Sequence, residues 1–97
     1  MVKHIVMWNI KEGLNKEEVA AKLKAELEVL VNKIDCLITL DLGSHFKKGD
    51  SGRDVVLYSE FESKEDLAAY LIHPEHVKVV DYVRSVVCDR VDVDYEQ

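Results

Sequence analysis

Residues 2–10 read VKHIVMWNI, and their alternation with a period of two is typical of a β-strand. One face of this strand carries Val2, His4, Val6, Trp8 and Ile10, and the other carries Lys3, Ile5, Met7 and Asn9. Large apolar side chains therefore occur on both faces. A single layer of helices covers only one face of a sheet, so we expect a second copy of the chain to cover the other.

A helix is predicted directly after this strand. Gly13 marks a turn, and Asn15 with Glu18 three residues later has the spacing of a helix N-cap. Apolar residues then recur mostly at steps of three and four, which is typical of one face of an amphipathic helix. They are Val19, Leu23, Leu27, Leu30, Val31 and Ile34.

Two further strands are predicted in the middle of the chain, at residues 36–46 and 54–62. Glycine inside a strand indicates a bulge or a bend, and we expect one at Gly43. A polar loop at residues 47–53 separates the two strands. The side chains expected on one face of the earlier strand are Cys36, Ile38, Leu40 and Leu42.

A second helix is predicted to begin at a cap formed by Ser63 and Asp66 and to be interrupted at Pro74. Proline suits the first turn of a helix and not its interior, so we expect a break near His73 and a restart. The residues expected to face inward after the restart are Val77, Val80, Val83 and Val87. A last strand is predicted at residues 88–95.

The predicted order is β-α-β-β-α-β, the split βαβ pattern of ferredoxin-like α+β domains with a four-stranded antiparallel sheet. At 97 residues the chain has the size of one domain, and we expect residues 1–97 to form it.

Composition excludes several classes of function. The 13 basic and 19 acidic residues give a formal net charge of -6, which argues against binding to nucleic acid or to an anionic membrane surface. No apolar run is long enough to span a membrane, and the N-terminus lacks the features of a signal peptide. Cys36 and Cys88 have no CxxC spacing, so we expect reduced thiols in the core or at an interface and a cytoplasmic location.

The run Tyr70-Leu71-Ile72-His73-Pro74-Glu75-His76-Val77, preceded by Phe61-Glu62-Ser63, resembles the stress-responsive A/B barrel domain, the Dabb family. The opening Val2-Lys3-His4-Ile5-Val6-Met7-Trp8, followed by Lys11 and Gly13, is similar to the first strand and turn of that family. The resemblance extends over essentially the whole chain, and its most specific part is the Tyr-x-x-His-Pro-x-His run.

This resemblance implies a homodimer whose two sheets pack into a dimeric α+β barrel. Some plant members of the family are polyketide cyclases, in which a Tyr and a His matching Tyr70 and His76 carry an aldol-type ring closure, and a His matching His4 lines the pocket. The chain departs from the family at Trp8-Asn9, where the first strand more often has Phe-Lys. The bulkier indole narrows a pocket beside His4, which disfavours a long polyketide substrate.

Tyr70 and His76 are the predicted catalytic pair. A neutral imidazole can remove a proton next to a carbonyl because its pKa lies near working pH. A phenol in an apolar pocket can donate a hydrogen bond to the enolate oxygen that forms. The structural alternatives are a core aromatic for Tyr70 and, for His76, a helix residue bonded to a backbone carbonyl.

The walls of the predicted pocket come from two strands and from the helical region around Pro74. His4 and Trp8 share a strand face, where they form either a pocket wall or plain core packing. His73 is a candidate wall residue, although capping the helix at Pro74 is the interpretation we favour for it. His73 and His76 lack a convincing third ligand, so we predict no metal and no cofactor. The full set of predicted substrate-binding residues is His4, Val6, Trp8, Leu57, Leu71 and His73.

Three functions remain open from the sequence. The first is cofactor-independent proton transfer next to a carbonyl in a small apolar pocket, as in cyclisation, isomerisation or a related lyase step. The second is a stress-response or ligand-binding dimer that uses the same pocket without turnover. The third is a cofactor-free monooxygenase, which rests on fold analogy alone and would consume oxygen.

Overall fold

The computed structural model describes residues 1–47 and 51–97, so part of the predicted loop at 47–53 lies outside the described residues. Four antiparallel strands form one sheet in the order β2-β3-β1-β4, with three helices in the connections. Along the chain the elements are β1 (Val2–Ile10), α1 (Lys16–Glu28), a 3-10 turn (Val29–Asn32), β2 (Thr39–Ser44), β3 (Val55–Phe61), α2 (Lys64–Leu71), α3 (Pro74–Val86) and β4 (Val87–Glu96). The ferredoxin-like prediction is confirmed.

β1 lies in the centre of the sheet, and its side chains alternate between a buried and a half-buried face as its sequence predicts. Val2, Val6 and the other residues of that face are buried, and the intervening residues are half-buried. The buried face packs against α1 and the 3-10 turn through Leu23, Leu27 and Leu30. This layer of helix on sheet is the core of the molecule.

Side-chain caps define where the helices begin. Asn15 accepts a hydrogen bond from the backbone N–H of Glu18 (3.0 Å), and Ser63 accepts one from Asp66 (3.1 Å). Both caps satisfy amide groups that the first turn of a helix leaves without partners. The break at Pro74 is also confirmed, because α2 ends at Leu71 and α3 restarts with Pro74 in its first turn.

The predicted start of β2 is wrong, and of the two alternatives for Gly43, a bulge or a bend, the bulge is wrong. The strand begins at Thr39, and the residue that reaches the core before it is Leu37, whereas Ile38 is 42% exposed. The cause is a turn in which the Leu37 N–H bonds to the Ile34 carbonyl (3.1 Å), so the period of two has not yet started. Gly43 forms no bulge, since its pairing with Val56 continues the regular register.

The residues predicted to face inward from α3 lie on the side of the sheet, but they are only partly packed. Val83 is buried, but Val77 is 52% exposed and Val80 is half-buried, because both line a cavity between α3 and the sheet. Val87 is buried as the first residue of β4 and not as part of the helix. The residues of α3 that pack on the core are Val79, Tyr82, Val83 and Val86.

The cysteines are free and half-buried, so they are less enclosed than expected. The Cys36 thiol lies 3.4 Å from the carbonyl oxygen of Asp66, and the Cys88 thiol lies 3.7 Å from the carboxylate of Asp89. Within the described residues, no helix has the length and apolar character needed to cross a membrane.

β4 contains an irregularity opposite Trp8. Met7 pairs with Val91 while Asn9 pairs with Cys88, so two residues of β4 lie opposite one residue of β1. One of the two, Asp89, has a positive φ of 54°, the left-handed conformation that one class of β-bulge adopts. The bulge sets which side chains of β4 point towards the helices.

We predict that Leu23→Ala lowers the free energy of unfolding by about 2–5 kcal/mol, because it opens a cavity at a side chain with 0% exposure. The matched control is Leu14→Ala, at a leucine that is 41% exposed, where we expect less than about 0.5 kcal/mol. Urea denaturation followed by circular dichroism measures both values. Equal losses for the two variants would contradict this description of the core.

Candidate functional site

A cavity of about 590 Å³ lies between α3 and the sheet. Its size falls in the range of small-molecule sites. The walls are mostly apolar, and two histidines and a tyrosine interrupt them. The lining residues used below are His4, Val6, Trp8, Leu57, Tyr70, Leu71, His76, Val77, Val80, Asp81, Arg84 and Arg90.

Tyr70 is the last buried residue of α2. Its ring is fully buried and lies beside Phe61 (centroids 5.1 Å apart) and His76 (4.4 Å). Its buried hydroxyl has no hydrogen-bond partner among the described residues. Burial also raises the pKa of this phenol well above its ordinary value, so the hydroxyl keeps its proton.

His76 lies in the first turn of α3, and its ring is fixed by the end of α2. Its Nδ1 is 3.1 Å from the carbonyl oxygen of Leu71. A carbonyl can only accept, so Nδ1 carries the proton and Nε2 holds the lone pair of the neutral ring. Burial lowers the pKa of His76, and the nearby His4 and His73 add to this, outweighing the opposite effect of the Leu71 carbonyl. The ring is thereby kept in its neutral, basic form.

His4 reaches the same cavity from the sheet. It is 5% exposed, and its Nδ1 is paired with the carboxylate of Asp94, which lies directly opposite on β4. The buried hydroxyl of Ser59, its neighbour on β3, donates to the His4 carbonyl oxygen (3.3 Å). The pairing with Asp94 orients the ring and leaves Nε2 on its other side.

The structure brings together all but one of the predicted site residues. Beside Tyr70, His76 and His4, the cavity is lined by Val6, Trp8, Leu57 and Leu71. Trp8 is 7% exposed, so its indole contributes a broad apolar wall. Their catalytic and binding functions stay predictions.

His73 does not line the cavity. It is the N-cap of α3, where its Nδ1 accepts a hydrogen bond from the backbone N–H of Glu75 (3.1 Å). A nitrogen that accepts from an amide has no lone pair left for a ligand. The preferred interpretation of His73 as a cap therefore matches its position, and its assignment to the pocket wall does not.

Sequence reasoning missed the charged residues of the cavity. Asp81 and Arg84 lie on the α3 face that borders the opening, and Arg90 reaches the cavity from the bulge of β4. The spacing of Arg84 from His76, two helical turns, could have suggested the first arginine. Nothing in the sequence indicates the bulge that places Arg90 or the pairing of Asp94 with His4.

Comparison with known proteins agrees with this architecture. The sequence profile of the stress responsive A/B barrel domain family, Dabb, matches residues 2–97. A stress-response A/B barrel domain-containing protein of Arabidopsis thaliana, DABB1, is 35% identical over 98% of this chain. The chain spans 46% of that relative's length, about half of it.

Two solved structures share the fold over nearly the whole chain. A dimeric protein of unknown function with a ferredoxin-like fold from Bacteroides fragilis has a TM-score of 0.88 at 31% identity, covering 99% of this chain and 95% of its own. A protein from Arabidopsis thaliana has a TM-score of 0.87 at 27% identity, covering 100% and 95%.

We predict that His73→Ala lowers the free energy of unfolding by about 1 kcal/mol through loss of the α3 cap. His73→Asn, which keeps a capping group, should restore most of it. Thermal and urea denaturation measure the stability, and titration with a ketone probe measures binding, which neither variant should change. A loss of binding in the asparagine variant would return His73 to the pocket wall.

Proposed function

The chain belongs to the stress responsive A/B barrel domain family, and from this premise we propose that it is a homodimer that catalyses proton transfer next to a carbonyl group. The reaction takes place in the cavity between α3 and the sheet and uses no cofactor. The substrate is a small, largely apolar carbonyl compound, since the walls around the polar pair are apolar. The cytoplasmic location expected from the sequence belongs to the same proposal.

One observation carries the catalytic proposal. The Tyr70 hydroxyl is buried and has no hydrogen-bond partner in the part of the chain that the structure describes, and a buried donor left in this state costs about 1–3 kcal/mol. A carbonyl oxygen of a bound substrate would supply the missing acceptor. His76, whose ring centroid is 4.4 Å from that of Tyr70, offers a basic nitrogen in the same cavity.

In the proposed step His76 transfers the proton and Tyr70 donates a hydrogen bond. Nε2 of His76 removes a proton from the carbon next to the carbonyl, and the electron pair of that C–H bond moves to the carbonyl oxygen as an enolate. Tyr70 stabilises the enolate by donating a hydrogen bond and keeps its own proton. The imidazolium then returns the proton to the substrate, at carbon in an isomerisation or at the new alkoxide oxygen after a ring closure.

The dimer proposal rests on the outer face of the sheet, which none of the helices in residues 1–47 and 51–97 covers. There Ile5 lies between Tyr58 and Val93, and Met7 lies between Val56 and Val91. Val93 is 49% exposed, and its neighbours Val91 and Tyr95 are also exposed. Complete burial of a fully exposed apolar side chain contributes about 1.5–3 kcal/mol, and these half-buried side chains would contribute part of that amount each in a dimer. The dimeric relative from Bacteroides fragilis supports this arrangement.

We predict that Tyr70→Phe and His76→Ala each reduce catalysed proton exchange roughly 10²–10⁴-fold, because they remove the enolate donor and the base. The measurement is deuterium exchange next to the carbonyl of octan-2-one in D₂O, followed by NMR. The rate should rise with pH through a pKa below 6.5 and then stay level, since the pKa of His76 is lowered and that of Tyr70 is raised.

Tyr82→Phe is the matched control for this experiment, because Tyr82 is a tyrosine of α3 that packs on the core and does not line the cavity. It should exchange at the wild-type rate. If wild-type protein binds the ketone and no proton exchanges, catalysis is wrong and a ligand-binding dimer is left. Oxygen uptake with a quinol-like compound would instead favour a monooxygenase.

We predict a dimer of about twice the 11.1 kDa chain mass at micromolar concentration. Val93→Asp should convert it to a monomer, because the carboxylate would be buried without a partner. Ile72→Asp is the control, since Ile72 is 79% exposed at the end of α2, away from the sheet surface. Light scattering measures the mass, and a monomeric wild-type protein would refute the dimer.

A further inference from the structure

Arg84 is a cation at the cavity, and none of the ion pairs among the described residues involves it. It is exposed, it lies in the last turn of α3, and it forms no ion pair with any residue in 1–47 or 51–97. This is notable in a chain with 19 acidic and 13 basic residues. The other cavity arginine, Arg90, is already neutralised by Asp92.

Arg84 also lies in line with the proposed base. His76, Val80 and Arg84 are spaced at i, i+4 and i+8, which places them in one row along the side of α3 that borders the cavity. The rise of an α-helix separates the Cα atoms of His76 and Arg84 by about 12 Å. Val80 supplies an apolar surface between the two polar ends.

We propose that the cavity takes an oxo acid, whose ketone lies at Tyr70 and His76 and whose carboxylate binds the guanidinium of Arg84. The planar guanidinium offers paired N–H donors that match a carboxylate. The alkyl chain between the two groups packs along Val80 and Trp8. This inference rests on the proposed function for the position of the ketone, and it adds the class of substrate.

Asp81 defines the required distance between the two groups of the ligand. It lines the cavity between His76 and Arg84 along the helix, about 7.5 Å in rise from His76. A carboxylate close to the ketone would approach Asp81 and be repelled. A carboxylate far from the ketone passes Asp81 and reaches Arg84. The cavity should therefore prefer an acid whose ketone lies near the opposite end of the chain.

Binding of three probes by isothermal titration calorimetry at low salt tests this inference. They are 9-oxodecanoate, its neutral methyl ester, and 4-oxodecanoate, which has the same length but a ketone near the carboxylate. We expect the first to bind roughly three- to tenfold more tightly than either of the others. Arg84→Gln should abolish the preference for the acid over the ester while leaving the affinity for the ester unchanged. Added salt should weaken the wild-type preference for the acid.

Lys78→Gln is the matched control, because it removes the same charge from the same helix at a residue that does not line the cavity. Its preference for the acid should equal that of the wild type. Equal affinity of the wild type for acid and ester, or a preference that survives Arg84→Gln, would overturn the inference. Deuterium exchange next to the ketone is recorded separately, so an acid preference without exchange would refute the proposed catalysis and support the oxo-acid site.

Discussion

The ring of Pro74 removes one backbone N–H from the helical ladder, and the geometry of the cavity depends on that loss. In an unbroken helix, residues 70 and 76 would be about 9 Å apart along the axis and on different faces. The break after Leu71, capped by His73, lets the end of α2 and the start of α3 turn towards each other. The rings of Tyr70 and His76 consequently meet at 4.4 Å.

Burial shifts the pKa values of these two rings in opposite directions, and both shifts favour the neutral form. It raises the pKa of Tyr70 and lowers that of His76, because in both cases it disfavours the charged form. The cavity therefore holds a neutral donor beside a neutral base over a wide range of pH. The carbonyl of Leu71 completes the arrangement by fixing which nitrogen of His76 is basic.

Local sequence signals predicted most of the fold, since each depended on neighbours in the chain. The alternation of β1, the caps at Asn15 and Ser63 and the break at Pro74 are of this kind. The failures depended on distant parts. Ile38 looked like a strand residue until the turn at Leu37 shifted the phase, and Val77 looked like core because a cavity cannot be read from periodicity.

The same distinction between local and distant signals separates the site residues that could be predicted from those that could not. The aromatic and apolar members of the site were accessible from the Tyr-x-x-His-Pro-x-His run and from the face of β1 that contains His4 and Trp8. The charged residues that β4 places on this side of the sheet depend on the register between β1 and β4, which includes a bulge at Asp89. Nothing in the sequence marks that bulge, so neither Arg90 nor Asp94 could be assigned to the cavity side beforehand.

β4 contributes side chains to both the proposed dimer surface and the helix side of the sheet. Its apolar residues, Val91 and Val93, lie on the uncovered face beside Met7 and Ile5, whereas Asp92 and Asp94 lie on the helix side. A monomer would be more stable with the reverse pattern, in which the apolar residues face inward and the carboxylates face water. The observed pattern is favourable only if the outer face is covered and the inner carboxylates have partners, which are the guanidinium of Arg90 for Asp92 and the ring of His4 for Asp94. Because a shift of one residue in this strand would exchange the two faces, the dimer surface and the charge pattern of the cavity are fixed by the same register.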